Sequence, residues 1–240
     1  MSDQHVTKER SPRSLVMVVA ILFVGAVALF SGVPQLMSGL YSNPYDDVFS
    51  DIARDRPVAP ELLSLAETSR LSAISWAESG ALYADLAVLR LAAASRAPVF
   101  SVQRRQLAGE AHDFQQMALA RAPGDGFGWV RLLQTMAVTA APVADVERVL
   151  DVSLARASSH PTLVLTRIAL VGLYWRGLSP AMKDRMGRQF ILAARWSPTA
   201  LVRIARARQI EDAVAGYVAA DPIALARYTY ARTRIRNQAP

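Results

Sequence analysis

The 240-residue chain contains no cysteine, which excludes disulfide bonds, thiol nucleophiles and thiolate metal ligands. Strand signals are also scarce, because no sustained alternation of apolar and polar residues occurs. The three histidines have no partners at metal-ligand spacing. The motifs of serine hydrolases, Walker loops and zinc proteases are missing too. We therefore expect no catalytic site, cofactor site or metal site, and a fold held by packing alone.

One long apolar run lies near the N-terminus. It begins at Leu15, carries no charged residue up to Met37, and as a helix would reach about 30 Å, the thickness of a bilayer's hydrocarbon core. An uncleaved anchor is the favoured interpretation. A cleaved signal peptide is the alternative, although the small residues Ala26 and Ala28 lie inside the run rather than after it. A buried core helix is the third possibility.

The charges that flank the run predict its orientation. Basic residues precede it and acidic residues follow it: Lys8, Arg10 and Arg13 on one side, Asp46, Asp47 and Asp51 on the other. The positive-inside rule then keeps the N-terminus in the cytoplasm and exports the large domain. We expect a single-pass protein of the bacterial inner membrane, with a cytoplasmic segment 1–14, a span 15–37, a juxtamembrane linker 38–58 with room for a short helix, and a periplasmic helical domain 59–240.

Helix signals continue through the rest of the chain. Proline repeatedly follows a capping residue, as in Ser179-Pro180, and proline is tolerated at the first helical position because its missing amide has no intrahelical acceptor there. Apolar residues recur at intervals of three and four, as at Leu107 and Ala111. The stretch 162–175 is apolar on nearly all sides and indicates a central buried helix. The predicted helices lie near 60–78, 81–96, 100–121, 127–139, 142–157, 161–176, 180–196, 198–208 and 222–236.

An internal repeat emerges when the predicted helix ends are aligned. Three helices end with small residues and an arginine before a proline, and these arginines recur at intervals of 35 and 39 residues: Arg121, Arg156 and Arg195. This period is close to that of tetratricopeptide-like helical hairpins. Trp129 follows Pro123 where such hairpins carry an aromatic residue, and Trp76, Gly80 and Tyr83 have the motif's large, small, large spacing. An all-α repeat domain is the favoured fold, with an irregular helical bundle as the alternative.

The glycine cluster Gly124-Asp125-Gly126-Phe127-Gly128 has the spacing of a phosphate-binding loop. A phosphate loop follows a strand and opens a helix, however, whereas the residues before Gly124 are predicted to be helical and the loop has no lysine. The cluster therefore predicts a turn between two helices, in which glycine permits a positive φ.

The formal net charge is +7, but the basic residues are dispersed arginines, which argues against nucleic-acid binding. The densest group is C-terminal: Arg203, Arg206, Arg208, Arg227, Arg232, Arg234 and Arg236. This basic patch is a candidate surface for anionic lipid, an acidic polymer or an acidic partner, with a solvated helix face as the alternative. The compact titratable cluster Glu110-Ala111-His112-Asp113 is the candidate for a carboxylate-based site.

The second half of the chain is similar in order and spacing to the VpsP-like proteins of bacterial exopolysaccharide loci. The resemblance covers roughly residues 105–228 and rests on Pro123 with Trp129, on His160-Pro161 where the family has Gly-Pro, on the run from Ile191 to Trp196, and on the tail from Asp221 to Ala226. It implies a small single-span membrane protein with a helical extracytoplasmic domain that supports polysaccharide synthesis or export. It supplies no catalytic residues.

These observations predict a non-catalytic, membrane-anchored scaffold. Its expected partner is a membrane or periplasmic protein of the cell envelope, with a polysaccharide assembly component as the candidate. An enzyme acting on a glycan or lipid-linked sugar through carboxylates such as Glu110 and Asp113 is the alternative.

Overall fold

The computed structural model describes residues 12–238. Within this range every regular element is helical, which confirms the all-α prediction. The helices are α1 (Pro12–Ser42), α2 (Asp46–Ala53), α3 (Pro60–Trp76), α4 (Gly80–Arg96), α5 (Val102–Arg121), α6 (Gly126–Thr139), α7 (Val143–Arg156), α8 (Pro161–Val171), α9 (Pro180–Trp196), α10 (Pro198–Ala207), α11 (Glu211–Val218) and α12 (Pro222–Gln238). Two short 3₁₀ turns, Asn43–Tyr45 and Trp175–Gly177, join α1 to α2 and precede α9.

Proline begins five of the helices that follow α2, as the sequence predicts. It occupies the first position of α3, α8, α9, α10 and α12, where no intrahelical bond is lost. Side-chain caps complete two of these starts. The Ser179 hydroxyl accepts the amide of Met182 at 3.3 Å, and the Asp221 carboxylate accepts the amide of Ala224 at 2.8 Å.

Two helices differ from the prediction. Helix α8 ends at Val171 rather than near 176, and the Arg208 guanidinium donates from Nε to the carbonyl of Ala169 at 2.8 Å. That carbonyl would otherwise accept the amide of Leu173 in a continuing helix, but this amide turns to Leu170 in a tighter turn. Helix α11 was not predicted; it is eight residues long and begins without a side-chain cap.

The glycine cluster is a turn, as predicted, but its glycines do not have positive φ. Helix α5 ends at Arg121 and α6 begins at Gly126, capped by the Asp125 carboxylate. The glycines serve close packing instead. A Cβ on Gly126 would lie 2.6 Å from the Cβ of Ala157, and one on Gly128 would lie 2.9 Å from Leu119.

From α3 to α7 and again from α8 to α12, each helix packs against the next one in sequence, and the even-numbered helices contact each other in turn from α6 to α12. The main hydrophobic core runs from α5 to α12, and a smaller cluster joins α2, α3 and α4. The three aligned arginines of the sequence repeat lie at the ends of α5, α7 and α9. Their spacing thus reflects equivalent positions on alternate helices, while assignment to the tetratricopeptide class stays a prediction.

A buried cation ties α7 to α8. Arg167 lies in the stretch 162–175 and is fully buried. Its guanidinium donates to the carbonyls of Ser153 and Ala157 at 2.9 and 2.7 Å, at the C-terminal end of α7. Burial lowers the pKa of Arg167 to about 10, so it stays charged at neutral pH, and the negative end of the α7 dipole stabilises that charge.

Helix α1 is long and apolar enough to cross a membrane. An 18-residue window in this region has a mean hydropathy of 1.9, and none of it is buried. The helix contains the predicted span 15–37 and continues to Ser42. Lys8 and Arg10, on which the predicted orientation partly rests, lie outside the described residues, as does most of the predicted segment 1–14.

Residues 38–58, predicted as a linker, are folded against the domain. They comprise the end of α1, a 3₁₀ turn and α2, and Val48 is buried with Leu63 of α3. The Ser69 hydroxyl donates to the carbonyl of Tyr41. Because Tyr41 meets Ser69 while the later residue Val48 is buried with the earlier residue Leu63, the segment from the end of α1 through α2 runs antiparallel to α3.

Candidate partner-binding groove

A groove of about 1070 Å³ lies in the described part of the chain. We call it the concave groove. Helices α2, α4, α6 and α8 form its walls, and the loop between α4 and α5 forms one rim. Its lining residues are Phe49, Ile52, Ala53, Asp85, Val88, Leu91, Ala92, Ser95, Val99, Phe100, Arg104, Arg105, Arg131, Gln134, Ala137, Val138, Thr139, Ala140, Leu170, Leu173 and Arg208.

The walls of the concave groove are apolar because each helix turns one face towards it. On α4 the lining residues Val88, Leu91 and Ser95 recur every three or four positions, which places them on one side of the helix. Helix α2 adds Phe49 and Ile52. The groove therefore combines apolar side chains from helices that are distant in sequence.

The rim loop exposes an aromatic side chain in an unusual backbone conformation. Phe100 is 88% exposed and has a φ of 67°, a left-handed value that is rare for a bulky residue. Ala140, on the opposite wall, also has a positive φ, 54°, where it ends α6. Strained backbone of this kind clusters at ligand-binding sites. The predicted helix start near 100 moves to Val102, where the Ser101 hydroxyl caps α5 by accepting the amide of Arg104 at 3.0 Å.

The charge of the concave groove is positive. Four arginines line it, Arg104, Arg105, Arg131 and Arg208, against the single carboxylate of Asp85. Arg131 donates to the amide oxygen of Gln115 at 3.3 Å, and within residues 12–238 it has no carboxylate at ion-pair distance. Desolvation lowers the pKa of Arg131, although Asp125 and Asp85 oppose the shift. A partly desolvated cation of this kind favours an anionic ligand.

Arg70 holds the α2 wall of the groove in place. Its side chain is 2% exposed. The guanidinium donates from Nε to Asp85 on α4 at 2.8 Å and from a terminal nitrogen to Asp46 on α2 at 2.6 Å. It also donates to the carbonyl of Ser42 at the end of α1. Its guanidinium lies 4.6 Å from the ring centre of Phe49. Burial raises the pKa of Asp85, and the bond from Arg70 only partly offsets this effect. One side chain therefore joins α1, α2, α3 and α4.

The predicted basic patch is divided among several environments. Arg208 lies in the concave groove, while Arg206, Arg232 and Arg236 surround a second cavity between α10, α11 and α12. Arg227 donates to the carbonyl of Arg195. Arg203 and Arg234 are exposed on α10 and α12 and line neither cavity. The joint role of the seven arginines as a partner-binding patch stays a prediction.

The predicted carboxylate cluster has separate partners along α5. Glu110 lies 3.1 Å from Nε of Arg90, and His112 shares hydrogen bonds with Thr135 and Gln116 at 3.0 and 2.9 Å. Asp113 is exposed. None of these residues lines the concave groove. Among the described residues no group of three or more histidine or carboxylate side chains is placed to hold a metal ion.

Sequence reasoning missed the concave groove and its most distinctive residue, Phe100. The sequence does carry one signal for the rim, the apolar segment Pro98-Val99-Phe100 beside Arg104 and Arg105. Comparison with known proteins gives no match: no protein family, curated protein or solved structure is significantly similar to the chain.

Proposed function

We propose that the protein is a non-catalytic, membrane-anchored scaffold that binds an acidic, amphipathic helix of another cell-envelope protein in its concave groove. The observation that carries this proposal is the combination of apolar walls with four arginines against one aspartate. An amphipathic helix buries an apolar stripe in such a groove and presents its acidic residues to the arginines.

Photo-crosslinking in native membranes tests this proposal. A photoreactive residue replaces Leu173, which is exposed inside the groove, or Leu62, which is similarly exposed on α3 outside it. We expect position 173 alone to crosslink to an envelope protein, at a segment with acidic residues on one helical face. Crosslinking to phospholipid at position 173, or equal products from both positions, would refute the proposed occupant.

A charge reversal provides a second test with a matched control. We expect Arg105→Glu to abolish the crosslink, because it places a carboxylate on the groove rim. Arg96→Glu makes the same change in charge at an exposed residue outside the groove and should preserve the crosslink. Equal loss in both variants would show that only net charge matters.

We further propose that the scaffold supports exopolysaccharide synthesis or export, with a cytoplasmic N-terminus and a periplasmic domain in the inner membrane. This part rests on the likeness to VpsP-like proteins and on the flanking charges. Deletion of the gene should lower polymer output, and a C-terminal alkaline phosphatase fusion should be active. Normal polymer output, or a fusion active only as a cytoplasmic reporter, would contradict these two points separately.

A further inference from the structure

We propose that the second cavity, between α10, α11 and α12, is a binding site for a sugar-sized ligand that carries an oxyanion, either a carboxylate or a phosphate. The cavity has a volume of about 490 Å³ and is lined by Arg206, Glu211, Ala215, Leu225, Tyr228, Thr229, Arg232, Thr233 and Arg236. We call it the C-terminal cavity. It shares no residue with the concave groove and does not depend on the function proposed above.

The charge of the C-terminal cavity favours an anion. Three arginines face one carboxylate, that of Glu211, which lies 3.8 Å from Nε of Arg206 and 4.0 Å from Nε of Arg232. Both distances exceed those of a hydrogen bond. The guanidinium groups therefore keep N–H donors for a ligand, and planar guanidinium groups suit the two oxygens of a carboxylate or phosphate.

One residue that lines this cavity, Tyr228, carries a buried hydroxyl. Tyr228 is 1% exposed, and among the described residues its hydroxyl has no hydrogen-bond partner. Buried polar groups are nearly always hydrogen-bonded, so this hydroxyl is free to pair with a water molecule or a ligand. Burial raises the pKa of Tyr228, so the hydroxyl keeps its proton at neutral pH and can donate a hydrogen bond to an oxyanion.

The remaining lining residues suit a sugar ring. Thr229 and Thr233 lie one turn apart on α12 and offer hydroxyl groups, and the Glu211 carboxylate can accept hydrogen bonds from sugar hydroxyls. Leu225 and Ala215 provide apolar surface. The volume lies within the range of small-molecule sites and exceeds what a bare phosphate or acetate ion needs.

Calorimetric titration of the full chain in detergent tests the proposal with four probes: glucuronate, glucose 1-phosphate, neutral glucose and inorganic phosphate. We expect one or both sugar anions to bind with a dissociation constant of about 1 mM or below, and the stronger of the two identifies the source of the oxyanion. Absence of binding by both, equal binding of glucose, or equal binding of inorganic phosphate, which would indicate an adventitious ion only, overturns the proposal.

Two pairs of substitutions locate the bound ligand. Arg206→Gln with Arg232→Gln removes two cavity arginines, whereas Arg203→Gln with Arg234→Gln removes the same charge from the same two helices outside the cavity. The first pair should weaken binding about tenfold or more, and the second by less than about twofold. Equal weakening of binding by both pairs would mean that only the overall positive charge of the protein attracts the ligand, and it would overturn the proposed site.

Tyr228→Phe isolates the buried hydroxyl. Without ligand, this variant should be as stable as the natural protein or more stable, because it removes an unsatisfied polar group. With the sugar anion, its affinity should fall about threefold or more. Unchanged affinity in a folded Tyr228→Phe variant would overturn the role of the hydroxyl as a ligand donor.

Discussion

Replacing Arg70 by methionine tests whether one buried cation fixes the wall of the concave groove. Methionine keeps most of the aliphatic volume, so the cavity left behind is small. The change removes the bonds to Asp85, to Asp46 and to the carbonyl of Ser42. It therefore releases α2 from α3 and α4 while leaving the main core, from α5 to α12, untouched.

The expected cost follows from the exposure of the two carboxylates. Breaking a fully buried ion pair costs about 3–5 kcal/mol. The Asp46 side chain is 64% exposed and that of Asp85 is 35% exposed, so water replaces much of what Arg70 supplies. We expect the Arg70→Met substitution to lower the free energy of unfolding by about 2–3 kcal/mol at neutral pH.

The loss in free energy of unfolding caused by Arg70→Met should depend on pH, because Asp85 is left without its cation. Burial already raises its pKa above the usual value of 3.8, and loss of the neighbouring guanidinium raises it further. The folded state then holds this proton more tightly than the unfolded state, so the difference between variant and natural protein grows as pH rises from about 4 to about 7. Adding Asp85→Asn should recover part of the lost stability at pH 7.

Urea unfolding of the full chain in detergent, followed by circular dichroism at the two pH values, measures these differences. Hydrogen exchange should show lost protection over 43–53. Arg96→Met, at an exposed position, is the control and should be neutral within about 0.5 kcal/mol. A cost for Arg70→Met below about 1 kcal/mol, or no recovery with Asp85→Asn, would refute the assigned role of Arg70.

Three further substitutions probe other parts of the molecule. Gly187→Ala should lower the free energy of unfolding by about 1–3 kcal/mol, because the new Cβ would lie 2.2 Å from the ring of Tyr217. The control Gly216→Ala, whose new Cβ meets nothing within 4 Å, should be neutral or stabilising. Equal costs for the two variants in thermal unfolding would contradict this packing. Phe100→Asn should raise stability by about 1 kcal/mol, because asparagine tolerates a positive φ, yet remove the groove crosslink; an intact crosslink would exclude the ring from recognition. Asp221→Asn keeps the α12 cap but removes the charge. The hydrogen bond from the α12 backbone and an ion pair hold the pKa of Asp221 below 3.8. The ionised carboxylate therefore contributes to the free energy of unfolding above pH 3.8, and this contribution is lost as pH falls through the folded-state pKa. The melting temperature of the variant should therefore fall less steeply towards about pH 2.5, and parallel curves would contradict the shift.

The sequence alone predicts which segments are helical, because the signals are local. A proline at the first helical position and the serine or aspartate before it act within four residues, and they mark the starts of α9 and α12 correctly. Length and hydropathy likewise identify the apolar part of α1. The turn at Gly124 follows from the helix before it and the helix after it.

Tertiary structure decides where helices end and which charges are partnered. Helix α8 stops at Val171, close to the Ala169 carbonyl, which accepts a hydrogen bond from the Arg208 guanidinium. Arg208 is 39 residues away from Ala169 in sequence. Helix α11 is too short to be stable alone and depends on the close approach of Tyr217 to Gly187.

The concave groove also depends on tertiary structure, because its lining runs from Phe49 to Arg208. Sequence neighbours such as Arg206 and Arg208 face different cavities. Distance along the chain does not determine distance in space, so the packing of the helices decides which C-terminal arginines lie together.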